Sequence, residues 1–162
     1  MSEDIVIVGM ARTPMGGLLG ELTGMSAPEL GAIAVKAAVK EAGVSSADQI
    51  IMGNVLSAGQ GQAPARQAAL KAGLPKSTEA VTLNKMCGSG LQAVAMARQA
   101  LLAGEADVVI AGGMESMTNA PFLMSKHRSG QKYGHDKLVD HMALDGLEDA
   151  YEGKAMGVYA DQ

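Results

Sequence analysis

Apolar and polar residues alternate along the first part of the chain in a pattern that predicts a parallel α/β fold. Short, wholly apolar runs are typical of strands covered on both faces, and longer periodic runs between them predict helices. Repeated strand-helix-strand order favours a mostly parallel sheet with right-handed crossovers. The predicted strands are 5–8, 50–52, 80–83 and 107–111, and the predicted helices are 27–42, 65–72 and 91–103.

Capping residues mark the ends of these helices. Ser26 with Glu29 three positions later forms a capping box before the first helix, and Pro28 fits its first turn. Glycine follows each predicted helix, at positions 43, 73 and 104, where a left-handed backbone conformation can close it.

The helix predicted at 91–103 is apolar around nearly its whole circumference. Only Gln92, Arg98 and Gln99 are polar within it. A helix that is apolar on all sides must be buried on all sides, whereas an ordinary crossover helix has one apolar face. We therefore expect this helix to lie between two sheets, the second supplied by residues other than these strands.

The only cysteine of the 162 residues, Cys87, lies between a predicted strand and this helix. Gly88 and Gly90 beside it permit a tight turn. Unpaired amides and the helix dipole at a helix start favour a thiolate, which is the nucleophilic form. A single cysteine in an apolar protein is more often an inert core residue. Its place in this turn favours a nucleophile instead.

Composition excludes several classes of function. Charges are mixed, with a net charge of −4, and no basic stripe suggests nucleic-acid binding. No apolar stretch reaches the roughly 18 residues of a membrane span, and the acidic N-terminus does not resemble a secretory signal. A single cysteine excludes an internal disulfide and a cysteine-cluster metal site, so no metal and a cytoplasmic location are expected.

Aromatic residues and histidines occur only in the last third of the chain, beginning at Phe122. The composition also becomes more polar there. We therefore predict two units, an α/β core at 1–118 and the start of a second unit at 119–162.

Segment 84–91 and the Gln-Ala-Val after it closely resemble the nucleophile motif of thiolases, the acetyl-CoA acetyltransferases. Other segments match the same family in order along the whole chain. These are 11–17, 59–62, 64–67, 112–117, 145–147 and 156–157.

The resemblance implies a duplicated fold of αβαβα layers, of which this chain would supply the N-terminal βαβαβαββ half with a buried central helix. It implies that Cys87 carries an acyl group as a thioester, with its backbone N–H in an oxyanion hole. The reaction would join two acetyl-CoA into acetoacetyl-CoA and coenzyme A, or run as the reverse thiolysis. Leu147 and Met156 match positions lining the pantetheine and acyl pocket.

The same resemblance makes residues 119–162 the start of a coenzyme A-binding and tetramerisation loop domain. Coenzyme A thioesters would be substrates, with no separate cofactor, in a homodimer or homotetramer. The C-terminal half, with the activating histidine and second cysteine of the family, is expected to be absent. None of His127, His135 and His141 matches that histidine, and each is expected to be a solvated surface residue.

Two other functions stay open. One is a decarboxylating β-ketoacyl synthase, which shares the fold and the cysteine. The other is an inactive thiolase half acting as an assembly partner or thiol sensor. A dinucleotide fingerprint at 88–93 is disfavoured, because Asp107 begins the next strand where a ribose-binding acid should follow it. Glu115 is expected to be structural, and Arg12 and Arg66 to bind local carboxylates or carbonyls.

Overall fold

The computed structural model of the chain describes residues 4–161. Within them, five strands and four α-helices alternate with short 3₁₀ and π turns. The helices are α1 (Ala27–Ala42), α2 (Pro64–Ala72), α3 (Ser89–Ala103) and α4 (Met156–Ala160). The strands are β1 (Gln49–Gly53), β2 (Glu79–Leu83), β3 (Val109–Gly113), β4 (Phe122–Leu123) and β5 (Val139–Asp140).

The core is a parallel sheet of three strands in the order β2-β1-β3. Successive β1 residues point to opposite faces, and both faces are covered. Ile50 and Met52 pack in the cluster formed with α1 and α2, whereas Ile51 packs against Ala93 and Ala97 of α3. The predicted α/β class and parallel sheet are confirmed, with one helix layer on each face.

The predicted cap of α1 is also confirmed. The Glu29 carboxylate accepts hydrogen bonds from the Ser26 N–H (2.9 Å) and the Ser26 hydroxyl (2.8 Å). These bonds, the backbone one first, together with the nearby Lys71 ammonium, lower the pKa of Glu29. Gly43 closes the helix with a φ of 69°, a conformation that glycine adopts without a Cβ clash.

The predicted strand at 5–8 is wrong. These residues form no strand and are exposed, from 38% at Ile5 to 83% at Ile7. Just after this segment, the Met10 N–H donates a hydrogen bond to the carboxylate of Glu41, near the end of α1 (2.9 Å). An apolar run becomes a strand only where its backbone can hydrogen-bond to a neighbouring strand. Among residues 4–161, no strand lies beside this segment.

The helix α3 is buried on one side only. Ala93 and Ala97 pack against Ile51 of the sheet and Ala100 is buried, while Leu91 is 78% exposed and Leu102 is exposed as well. Residues 4–161 supply a sheet for one side of α3 only, so the expectation that a second sheet from elsewhere covers its other side stays a prediction.

A second, two-stranded antiparallel sheet joins β4 and β5. It lies wholly in 119–162, whereas the parallel sheet ends at Gly113. The division at 118 remains a prediction. None of the described helices is long and apolar enough to cross a membrane.

Candidate active site

Cys87 lies on an exposed turn between β2 and α3, two residues before α3 begins. The turn closes with a hydrogen bond from the Gly88 N–H to the Lys85 carbonyl (3.1 Å). Met86 has a left-handed φ of 51°, which is unfavourable for a residue with a Cβ. The Asn84 side chain accepts a hydrogen bond from the Met86 N–H (2.9 Å) and so supports this conformation. The turn predicted around the cysteine is confirmed, but its left-handed residue is Met86 and not a glycine, since Gly88 has a φ of −84° and Gly90 lies within α3.

Ser89 fastens this turn to the helix. Its buried hydroxyl donates to the Met86 carbonyl (2.6 Å) and accepts from the Lys85 N–H (2.8 Å). A Cβ on Gly53 would lie 2.6 Å from the Ser89 Cβ. Only glycine at this position lets the start of α3 approach the end of β1. The thiol is thereby held at the carboxyl edge of the sheet, where α/β proteins commonly bind ligands.

The loop after β1, at the same edge, is held by Glu115. Its carboxylate accepts hydrogen bonds from the Asn54 side-chain amide (2.7 Å), the Val55 N–H (2.8 Å) and the Leu56 N–H (3.0 Å). All the bonds recorded for this carboxylate are internal, which confirms the predicted structural role of Glu115.

Leu147 and Met156 lie beside each other. Leu147 ends the π turn Ala143–Leu147, Met156 begins α4, and the two flank an antiparallel bridge between Glu148 and Ala155. Each side chain is nearly half exposed, at 44% and 48%. The bridges and hydrogen bonds recorded for residues 4–161 connect neither of them to Cys87. The fold thus brings together two of the three predicted site residues, and their role in a pocket remains a prediction.

The prediction for the histidines is wrong at His141. His127 and His135 are exposed, but the His141 side chain is only 8% exposed and lies 2.6 Å from the Asp145 carboxylate. The spacing of four residues between His141 and Asp145 is typical of interacting pairs on one helical face. That spacing could have indicated the contact from sequence.

The expected local partners are confirmed for Arg66, which donates to the backbone carbonyls of Thr78 and Lys76. The expectation is wrong for Arg12, whose guanidinium contacts the Met15 sulfur (2.9 Å) rather than a carboxylate or a carbonyl. No group of three or more metal-binding side chains occurs in the described part of the chain.

The model of the thiolase N-terminal domain matches residues 5–162. The chain belongs to the thiolase family. It is 52% identical over 161 residues to acetyl-CoA acetyltransferase 2 of Arabidopsis thaliana, covering 98% of this chain and 40% of that protein. It is 51% identical to acetyl-CoA acetyltransferase of Saccharomyces cerevisiae, covering 100% and 42%. A probable acetyl-CoA acetyltransferase of Mycobacterium tuberculosis is 54% identical, again covering 100% and 42%.

This thiolase-family chain spans about two-fifths of the length of these curated relatives. The similarity extends over the nucleophile turn, the Glu115 region and the segment of Leu147 and Met156 alike. Family membership and the layered α/β fold that the motifs predicted are therefore confirmed.

Proposed function

We propose that this chain supplies the nucleophile of an acetyl-CoA C-acetyltransferase. The reaction is the condensation of two acetyl-CoA into acetoacetyl-CoA and coenzyme A, or the reverse thiolysis. The observation that carries the proposal is the exposed Cys87 thiol, held at the start of α3 by Ser89 and by the close approach at Gly53. The names of the relatives support the choice of substrate.

The chain's own contribution is the first covalent step. The Cys87 thiolate attacks the acetyl carbonyl carbon, the coenzyme A thiolate leaves and takes up a proton, and an acetyl thioester remains on Cys87. Amides at a helix start suit the charge that develops on the carbonyl oxygen. In the second step the α-carbon of another acetyl-CoA loses a proton and attacks this thioester, which releases the Cys87 thiolate. The family's activating histidine and second cysteine match no residue of this sequence.

Substrate binding is assigned to Leu147 and Met156. Their half-exposed apolar side chains, adjacent across the Glu148–Ala155 bridge, offer a surface suited to a pantetheine chain. Coenzyme A thioesters enter as substrates, with neither a separate cofactor nor a metal. A reducing compartment such as the cytoplasm suits the free thiol. A homodimer or homotetramer is proposed from the family resemblance.

A second candidate is a thiol sensor in a catalytically inactive assembly partner. The exposure of Cys87 favours it, because an accessible thiol can be oxidised without any acyl donor. A decarboxylating β-ketoacyl synthase has less support, since the relatives named above are acetyltransferases.

Intact-mass spectrometry after brief incubation with acetyl-CoA tests the proposal. We expect one acetyl group to be added to the wild-type chain and none to Cys87→Ser. Ser57 is exposed on the loop after β1, so the control variant Ser57→Ala should be acetylated as the wild type is. Addition from malonyl-CoA with loss of carbon dioxide would support the synthase instead. Oxidation of Cys87 by peroxide without any acetylation, in a folded protein, would support the sensor.

A further inference from the structure

The buried imidazole of His141 has no role in the chemistry proposed above, yet it joins two separate parts of the fold. Its Nδ1 lies 2.6 Å from Asp145 Oδ2, and its Nε2 lies 3.4 Å from the Ala58 nitrogen. Asp145 belongs to the π turn that ends at Leu147, whereas Ala58 belongs to the loop after β1.

The partners define the protonation of this ring. The Ala58 N–H can only donate, so Nε2 must be the acceptor. Nδ1 then carries the hydrogen and donates a hydrogen bond to the Asp145 carboxylate. A neutral imidazole thus forms a two-sided connection, with a charge-assisted hydrogen bond on the side of the π turn. The His141 backbone N–H also donates to the Pro121 carbonyl (3.2 Å).

Packing strengthens the same connection. Gly146 lies directly against Leu56, since a Cβ on Gly146 would be 3.1 Å from Leu56 Cδ2. Leu56 is buried, and its backbone N–H is one of the groups held by Glu115. The π turn therefore packs on the loop after β1, whose backbone is held by Glu115.

We propose that His141 is a positioning residue for the acyl-CoA pocket. It fastens the turn Ala143–Leu147 to the loop after β1, and so holds Leu147, with Met156 beside it, in a fixed place relative to the core. The inference rests on the proposed function for the identity of the ligand, coenzyme A, but the connection itself does not depend on that function.

The test compares His141→Ala with His127→Ala. The second variant is a matched control, because His127 pairs with Asp136 (3.2 Å) on the surface. Hydrogen exchange measured by mass spectrometry should be at least about tenfold faster in residues 141–148 of His141→Ala, with α1 and β1 unchanged. Coenzyme A affinity, measured by calorimetry, should fall about tenfold, which corresponds to the loss of one charge-assisted hydrogen bond. Alkylation of Cys87 by iodoacetamide, which needs no pocket, should stay as in the wild type.

Two further variants test the positioning role of His141 if His141→Ala does not fold. Asp145→Ala removes the partly exposed partner and leaves the imidazole in place, so we expect the same direction of change in both measurements. His141→Asn keeps a donor near the Nδ1 position and should recover part of the affinity.

The outcomes separate this inference from the proposed function. Coenzyme A binding that weakens in His141→Ala, in a chain that acetyl-CoA does not acetylate, would support the positioning role and contradict the proposed reaction. Unchanged affinity and exchange in His141→Ala and Asp145→Ala would overturn the positioning role even in an active chain. Equal weakening in His127→Ala, or no coenzyme A binding by the wild type, would overturn it as well.

Discussion

The loops after β1 and β2 leave the same edge of the sheet but are fastened in opposite ways. The loop after β1 is held from far along the chain, by Glu115, about 60 residues away in sequence. The turn after β2 is held by its own neighbours, since Asn84 and Ser89 bond to residues two to four positions away. One loop is therefore part of the tertiary scaffold, and the other is a local structure built on it.

This difference suits different tasks. Long-range bonds into a partly buried carboxylate make the first loop a rigid support for whatever packs on it, and the π turn packs there. Local hydrogen bonds fix the backbone of the turn after β2 and leave the Cys87 thiol open to solvent. The nucleophilic role proposed for Cys87 needs this combination of fixed orientation and access.

Removing the long-range support should have the largest effect. Glu115→Ala leaves the Val55 and Leu56 amides without their acceptor, and the Asn54 side-chain amide keeps only the Met114 carbonyl (3.2 Å). We expect the free energy of unfolding to fall by about 2–3 kcal/mol, the usual cost of losing hydrogen bonds to a charged group. Urea unfolding followed by circular dichroism measures it.

Two variants sharpen this experiment. Glu115→Gln keeps one acceptor oxygen and should lose less stability than Glu115→Ala. Glu105→Ala, at an exposed position, should change stability little. If Glu105→Ala cost as much as Glu115→Ala, the loop after β1 would not depend on this carboxylate.

Removing the local support should have a smaller effect. Ser89→Ala removes the hydroxyl that bonds to the Lys85 N–H and the Met86 carbonyl, and leaves that carbonyl the backbone N–H of residue 89 (3.0 Å). We expect a loss of about 1–2 kcal/mol, because both groups can turn towards water at this exposed turn. Thermal unfolding should show a lower Tm, with Ser57→Ala as the control. A loss as large as that of Glu115→Ala would mean that the turn is as much a part of the scaffold as the first loop.

The same contrast separates what the sequence could predict from what it could not. The Cys87 turn and the cap of α1 depend on residues a few positions apart, so the local sequence sufficed to predict both, although Met86 and not a glycine takes the left-handed conformation in the turn. The strand predicted at 5–8 failed because pairing depends on a neighbour, which the apolar pattern does not report. His141 was assigned to the surface although its spacing from Asp145 could have indicated that contact; its bond to Ala58, 83 residues away, required the fold. Glu115 was expected to be structural, but its partners required the fold.

The smallest effect is expected at the opposite edge of the sheet, where Asp48 forms an exposed version of the Glu115 arrangement. Its carboxylate accepts from the Asp107 and Val108 N–H groups, both at 2.9 Å. These bonds, that of Val108 first, lower the pKa of Asp48 below its ordinary 3.8. A lowered carboxyl pKa stabilises the fold above the unfolded-state value, and this stabilisation is lost as the pH falls through the folded-state value.

Asp48→Asn should therefore be less stable than the wild type near neutral pH, by less than Ser89→Ala because solvent screens the site. The difference between wild type and variant should shrink as the pH is lowered below 3.8. Urea unfolding of both proteins across this range measures it, with the exposed neighbour Asp107→Asn as the matched control. A difference that persists in acid would mean that the shape of the Asp48 side chain, rather than its charge, holds the strand ends. Asp48 would then resemble Glu115 only in the geometry of its hydrogen bonds to backbone N–H groups, and not in stabilising the fold through its charge.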